Sequence, residues 1–361
     1  MTLGYSVGGV RIEPGLVLSP MSGVTTCAFR RLIKKLNGEA VGLLVSEFVS
    51  VEGMTRQSKR TLGMLRFMPE ERPFAIQIFG YDIERMATAA KMVEDIGADI
   101  VDINCGCPAP KVVRKGGGCE LMRQPEHLKE IFKAVRRSVR IPLTMKMRSG
   151  WDEQSKNAVE IARMAEGEGI QAIAVHGRTR AQLYRGLADW DFVAGVADAV
   201  KLPVMGSGDV VDRTSALERA KGGITGLFIG RAAIENPFVF REIHTGEDVG
   251  LKGNPALMLD VVELYIALLR EEFPPKACVG KIKQLVSQMC RGQEWRKDIC
   301  RARTLEEQLD LIGRLRADFE RSGVVPGRAL ELAMRGGSGG VTIVGAVAKK
   351  GSAPRSGQTE T

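Results

Sequence analysis

Short apolar runs alternate with segments of helical periodicity over the first two-thirds of the chain. Eight runs have strand length: residues 16–21, 43–49, 74–79, 100–104, 142–147, 172–176, 203–206 and 226–230. Between them, 83–96 repeats Met86, Ala89, Ala90 and Val93 at helical spacing, and 125–139 does the same with Leu128, Ile131, Phe132 and Val135. Each run gives way to polar or glycine-rich residues. Alternating β and α units of this kind build a parallel sheet. Eight of them in some 230 residues suit a closed (β/α)8 TIM barrel, typically ~250 residues long, better than an open doubly wound sheet.

After about residue 246 only helical patterns continue, which predicts a smaller all-helical domain over 246–334 behind a barrel over 1–245. Leu257, Val261, Leu264, Tyr265 and Leu268 share one helix face. A later helix opens with Thr304 and Glu307 in capping-box spacing, followed by Leu309, Ile312, Leu315 and Phe319. Residues 335–361 are rich in Gly, Ser and Lys without periodicity, and a disordered tail is expected there.

Composition narrows the function classes. With 44% hydrophobic and 26% charged residues the chain reads as a soluble globular protein, and no apolar stretch reaches the ~18 residues of a membrane span. Residues 1–15 have neither a signal-peptide nor a transit-peptide pattern, so a cytoplasmic location is expected. Seven scattered cysteines do not form a disulfide framework. Cys105 and Cys107 lack a second pair, and only His127, His176 and His244 could complete a site, so no metal is expected. The formal charge is +9, and residues 274–304 alone carry eight basic against two acidic side chains, a net +6. A segment so charged suits an anionic partner, although a solvated helix face has the same composition.

In a barrel of this type, chemistry sits at the C-terminal ends of the strands. Ser22, Glu47, Gln77, Asn104, Cys107, Lys146, Arg148, His176, Arg178, Ser207, Asp209 and Arg231 all lie at or near the C-terminal ends of the runs. In DINCGCPAPK, residues 102–111, Gly106 and Pro108 hold Cys107 in a tight turn at the barrel mouth. By position alone it is either a functional thiol or a small buried residue. Ser207-Gly208-Asp209 and Gly230-Arg231 follow strands seven and eight, where barrels often bind phosphate, though an ordinary turn also needs glycine. Lys146 is a costly barrel-core residue unless it serves a ligand or forms a Schiff base.

Several segments together resemble the tRNA-dihydrouridine synthases, and most closely their bacterial type with a helical domain after the barrel. They are Pro20-Met21-Ser22-Gly23-Val24-Thr25 with Phe29-Arg30, residues 102–108, and Lys146-Met147-Arg148-Ser149-Gly150-Trp151. His176-Gly177-Arg178-Thr179 with Tyr184, Gly186 and Asp189-Trp190 follows, then 206–209 and Ile229-Gly230-Arg231. The match runs in family order from about residue 10 to 245. It implies FMN across the barrel mouth, with Pro20, Met21 and Ser22 beside the flavin ring and Gln77 and Lys146 on its polar atoms. It further implies His176 near the flavin, and Ser207, Gly208, Asp209, Gly230 and Arg231 around the FMN phosphate. The family usually has Asn where this chain has Ser207, which removes an amide donor.

The same resemblance implies reduction of a tRNA uridine, with hydride passing from flavin N5 to C6 and Cys107 donating the proton. A donor must hold its proton, and Lys111, Arg114 and Lys115 lie close by in sequence, so these cations are expected to face RNA phosphate and not the thiol. Asn104, Arg148 and Arg178 are assigned to the substrate side, and Lys111, Lys281 and Lys283 to RNA. The family relatives often carry a Lys-His pair and aromatics where Lys281-Ile282-Lys283-Gln284 stands here. No Gly-x-Gly-x-x-Gly opens a helix, so NADPH is expected to reduce the flavin at the same face and leave before the RNA arrives. The target uridine must be extruded to reach the mouth.

Three other readings compete. A small-molecule FMN oxidoreductase of the dihydroorotate-dehydrogenase type shares the barrel and needs no basic helical domain. A non-enzymatic RNA-binding barrel has no use for Cys107 or Lys146. An aldolase or isomerase barrel is open on fold grounds and would lack flavin colour.

Overall fold

The computed structural model describes residues 3–323. The expected tail, 335–361, and the expected end of the helical domain at 334 lie outside the described residues.

A hairpin of β1 (Tyr5–Val7) and β2 (Val10–Ile12) opens the chain. Nine further strands follow: β3 (Leu16–Leu18), β4 (Leu43–Val45), β5 (Val49–Ser50), β6 (Phe74–Phe79), β7 (Ile100–Cys105), β8 (Leu143–Arg148), β9 (Ala172–His176), β10 (Val204–Ser207) and β11 (Ile224–Ile229). Eight of them pair in parallel in the closed order β3, β4, β6, β7, β8, β9, β10, β11 and back to β3, which is the TIM barrel expected.

One expected strand is broken. The run 43–49 forms β4 and β5, both paired with β6, with residues 46–48 turned out between them. Ser46 makes the break tolerable: its N–H donates to the Ala75 carbonyl at 3.0 Å and its hydroxyl accepts from Gln77 N–H at 3.0 Å. The first strand stops at Leu18, three residues early, and the chain then turns at Met21, whose carbonyl accepts from Val24 and Thr25 N–H.

Period-two alternation sorts the strand side chains. Phe74, Ile76, Ile103, Met145 and Ile173 face the surrounding helices in the main core. Val17, Leu43, Ala75, Ile100, Ala172, Ala174 and Met205 fill the lower barrel, which Val7 and Ile12 of the hairpin close from below. Each buried Val, Leu, Ile, Met or Phe among these contributes roughly 1.5–3 kcal/mol. The hairpin escaped the sequence reading, although Tyr5, Val7, Val10 and Ile12 alternate around Gly8-Gly9.

The helix Val239–Thr245 closes at Gly246 in the left-handed region, φ 87°, and only helices follow among the described residues: Pro255–Glu272, Pro275–Met289, Arg296–Arg301 and Leu305–Arg321. The first packs on Cys27–Asn37, behind β3, and the second on Ala232–Glu235, behind β11. Glu272 accepts from Ala28 N–H at 2.6 Å, and Arg31 binds Glu70 and Glu271, so polar bonds as well as apolar contact fix the domain to this side of the barrel.

Candidate active site

The barrel interior turns polar toward the strands' C-terminal ends. Gln77, Asp102 and Thr144 face inward on neighbouring strands, with Asn104 and Lys146 paired one level higher. Gln77 donates to Asp102 Oδ2 at 2.6 Å and accepts from Asn104 Nδ2 at 2.6 Å, and Thr144 donates to Asp102 Oδ1 at 2.6 Å. The chain thus binds both ends of the buried Gln77 amide, and one amide hydrogen has no partner among the described residues. Burial raises the Asp102 carboxyl above its usual range, against the pull of Thr144, Gln77 and the Lys146 charge. Asp102 and Thr144, which organise this floor, were not among the sequence candidates, and their inward alternation was the available signal.

Cys107 sits on the loop after β7. Asn104 Oδ1 accepts the N–H groups of Gly106 at 3.2 Å and Cys107 at 2.9 Å, so the Asn three residues earlier shapes the turn that carries the thiol. Gly118 closes the other side: at φ +61° a Cβ there would lie 2.5 Å from the Cys107 carbonyl oxygen, and the Cys119 N–H donates to that same oxygen at 3.1 Å. The glycine run 116–118 is therefore a packed brace. Cys107 is 8% exposed, and burial pushes its thiol up, offset only in part by the Ala109 N–H and the charges of Arg148 and Lys111. The thiol keeps its proton. Cys105, by contrast, points into the outer core.

Lys146 projects into the mouth with Nζ 5.7 Å from the centre of the Phe228 ring. No side chain among the described residues accepts from it or pairs with it. Burial, with the neighbouring Arg148 charge, brings its pKa down to about 8, and Asp102 opposes the fall. His176 lies opposite Ser207, its Nδ1 3.4 Å from Ser207 Oγ. Burial and the charges of Lys146, Arg148, Arg178 and Arg231 hold its pKa well below the ordinary value, so the ring is neutral.

The two arginines expected on the substrate side are built into the rim. Arg148 donates from Nε to the Gly106 carbonyl at 3.1 Å and from Nη1 to Thr179 and Leu183 carbonyls, both at 2.9 Å. It ties the thiol loop to the loop after β9. Arg178, 2% exposed, binds Asp209 through both carboxylate oxygens at 2.7 and 2.8 Å, and the Gly186 carbonyl at 2.6 Å. Burial would raise the Asp209 carboxyl, but the Ala188 N–H and Arg178 outweigh it and hold it below the usual range. Tyr184, 58% exposed, lies over this rim, with the Arg231 guanidinium 5.0 Å and that of Arg148 5.6 Å from its ring centre.

The loops after β10 and β11 present backbone donors. The N–H groups of Gly208, Asp209, Gly230 and Arg231 meet no acceptor among the described residues, and Gly208 has φ +121°. Pro20 and Met21 are half-buried beside them and Ser22 is exposed. A Cβ on Gly230 would stand 3.6 Å from Met21 Sδ, so these two loops meet.

Of the residues expected to face RNA, Lys111 is exposed, as are Arg114 and Lys115, the last 3.5 Å from Glu52. Lys281 reaches back from the helical domain to donate to the Gly23 carbonyl at 3.4 Å, beside the Met21 turn. Lys283 is half-buried. Part of the basic excess of 274–304 is engaged internally, Arg296 with the Ser287 carbonyl and Arg291 near Glu235. Among the described residues no cluster of three or more His, Cys, Asp or Glu could hold a metal, and no helix is long and apolar enough to cross a membrane.

A parallel barrel whose mouth gathers a buried thiol, a lysine with no side-chain partner among the described residues and, after β10 and β11, four backbone N–H groups that meet no acceptor among them has the groups that a ligand-binding barrel needs. The chain belongs to the dihydrouridine synthase family, whose model matches residues 17–319. It is 41% identical over 272 residues to a probable tRNA-dihydrouridine synthase of Rickettsia bellii, covering 73% of this chain and 82% of that one. It is 42% identical over 264 residues to tRNA-dihydrouridine synthase B of Pseudomonas putida, covering 71% and 75%. Its match to tRNA-dihydrouridine synthase B of Pseudomonas aeruginosa is 35% over 326 residues, covering 88% and 97%. Among solved structures, a dihydroorotate dehydrogenase (DHODH) of Eimeria tenella in complex with ferulenol shares the fold, with TM-score 0.51, 14% identity and coverage of 73% and 86%.

Proposed function

We propose that this chain is a flavin-dependent tRNA-dihydrouridine synthase, acting in the cytoplasm with FMN as cofactor and NADPH as reductant. The reading rests on family membership and on the chemistry of the mouth. The observation that carries it is Cys107: a buried thiol, held protonated, on a loop fixed by Asn104 from one side and Gly118 from the other.

The donor set fits FMN. Lys146 supplies a cation with no ion-pair partner among the described residues, felt by Asp102 only at a distance and suited to the negative charge of a reduced flavin ring. The free N–H groups of Gly208, Asp209, Gly230 and Arg231, with the exposed Arg231 side chain, suit a phosphate. His176, kept neutral by burial and the surrounding cations, lies between the two beside Ser207, and Gln77 has one amide hydrogen left for the ligand. Pro20, Met21 and Ser22 form the rim beside the ring. The bound flavin supplies the reducing equivalents that saturate the uracil C5–C6 bond.

The chain's own residues do the rest. Cys107 delivers the proton to C5 of the uracil and is left as a thiolate, which recovers its proton from solvent. Arg148 and Arg178 hold the loops around the extruded base, and Asn104 orients the thiol. Lys111, which is exposed, and the half-buried Lys281 and Lys283 are assigned to the RNA backbone. Cys107→Ala is expected to keep bound flavin and its reduction by NADPH, and to slow dihydrouridine formation in unmodified tRNA by roughly 100-fold or more. Undiminished formation would remove the proton-donor role.

A further inference from the structure

Two arginines stack on one tryptophan at the edge of the mouth. The guanidinium carbons of Arg123 and Arg180 each stand 4.6 Å from the ring centre of Trp151. Three successive loops contribute: Arg123 ends the turn Gly118–Arg123 after β7, Trp151 follows β8, and Arg180 follows β9. The loops are joined through their backbones, with Arg180 N–H donating to the Gly150 carbonyl at 2.9 Å and Ala181 N–H to that of Trp151 at 2.8 Å.

The charge of this stack is poorly matched within the protein. Arg123, its side chain 53% exposed, pairs with Glu120 on its own turn, at 3.2 Å, and with no other carboxylate among the described residues. Arg180 has no carboxylate within ion-pair distance among the described residues, and its Nε is buried without an acceptor. A guanidinium held flat on an aromatic ring is weakly hydrated, and its N–H edge is already oriented for an oxyanion. Phosphate is the oxyanion that such a fork binds bidentately.

Position gives the stack its meaning. In the closed order of strands, β8 lies four places from β3 in either direction, so the Trp151 loop stands across the mouth from the β3 loop. The helical domain packs behind β3 and β11, and its Lys281 reaches the β3 loop at Gly23. An RNA resting on that domain with one nucleotide in the mouth continues toward the far rim, where the two arginines are.

We propose that Arg123, Trp151 and Arg180 form a phosphate-binding subsite that grips the RNA backbone on the rim opposite the helical domain, so that the substrate is held on both sides of the extruded nucleotide. This rests on the tRNA reading above.

The test is binding of an unmodified tRNA transcript to the flavin-loaded protein over a series of salt concentrations, for the unsubstituted chain, Arg123→Gln, Arg180→Gln and, as a surface control, Arg137→Gln. Each of the first two variants is expected to bind roughly tenfold more weakly and to lower the slope of log K against log salt by about 0.7–0.9, the loss of one phosphate contact. Arg137→Gln is expected to bind as the unsubstituted chain does. Equal affinity and slope for all four proteins would overturn the subsite while leaving the tRNA reading in place. No tRNA binding by the unsubstituted chain would remove the reading itself, and the subsite with it.

Discussion

At the scale of single residues the mouth sets two titratable groups against each other, both governed by burial. Cys107 is pushed up, so it remains an acid through neutrality, and the alkaline limb of uridine reduction is expected above the ordinary thiol range near 8.5. Lys146 is pushed down, from 10.5 to about 8. Between those values the unfolded chain binds more protons than the folded one, so stability rises with pH through that window and the full penalty applies below it. In the flavin-free protein, Lys146→Met is therefore expected to stabilise the fold by roughly 3 kcal/mol at pH 7, with the gain shrinking toward pH 10, while flavin binding weakens. Urea unfolding at the two pH values checks this, and a destabilised variant at pH 7 would mean that the lysine is paired. Cys107 and Lys146 were legible as candidates because motif and strand-end position mark them. Their protonation was not, since it depends on what is packed around them. Nor was the pairing of Arg178 with Asp209, which joins residues 31 apart across two loops.

Among the elements, most of the strands were legible from apolar runs and the break in 43–49 was not. A run of apolar residues says nothing of a serine hydroxyl that takes over a ladder acceptor, as Ser46 does. The helix Pro275–Met289 was hidden differently: Cys278, Ile282, Leu285 and Met289 form its buried face, but the lysines between them drew attention to charge. The capping box at Thr304 forms in altered shape. Thr304 Oγ1 accepts from Glu307 N–H at 3.1 Å, while the Glu307 carboxylate takes the N–H of Arg303, one residue before the cap. In the loop after β9, Arg148 and backbone bonds hold the first part, and Arg178 holds the second, binding the Arg185 and Gly186 carbonyls as well as Asp209. Arg178→Ala leaves that carboxylate only the Ala188 N–H and the more distant Arg231, and frees the two carbonyls, and is expected to cost about 3 kcal/mol. Amide exchange at residues 180–187 should then rise more than elsewhere; uniform protection would show that the loop is held by other contacts.

For the molecule as a whole, a barrel with all its candidate residues on one rim and a helical domain fixed beside β3 and β11 presents a single face to a large substrate. The order of the barrel could be read from eight repeats. The seat of the helical domain could not, because it rests on Ala28 with Glu272 and on Arg31 with Glu271, contacts more than 200 residues apart in sequence. The fold is shared with dihydroorotate dehydrogenase, so fold alone does not choose between a small substrate and an RNA. The choice falls to one experiment: reduce the flavin-loaded protein with NADPH without oxygen, remove the nucleotide, and follow flavin reoxidation with tRNA lacking dihydrouridine, with orotate, and with buffer. Reoxidation is expected with the tRNA alone, leaving dihydrouridine in it. A flavin that orotate reoxidises and tRNA does not would contradict a role in tRNA modification.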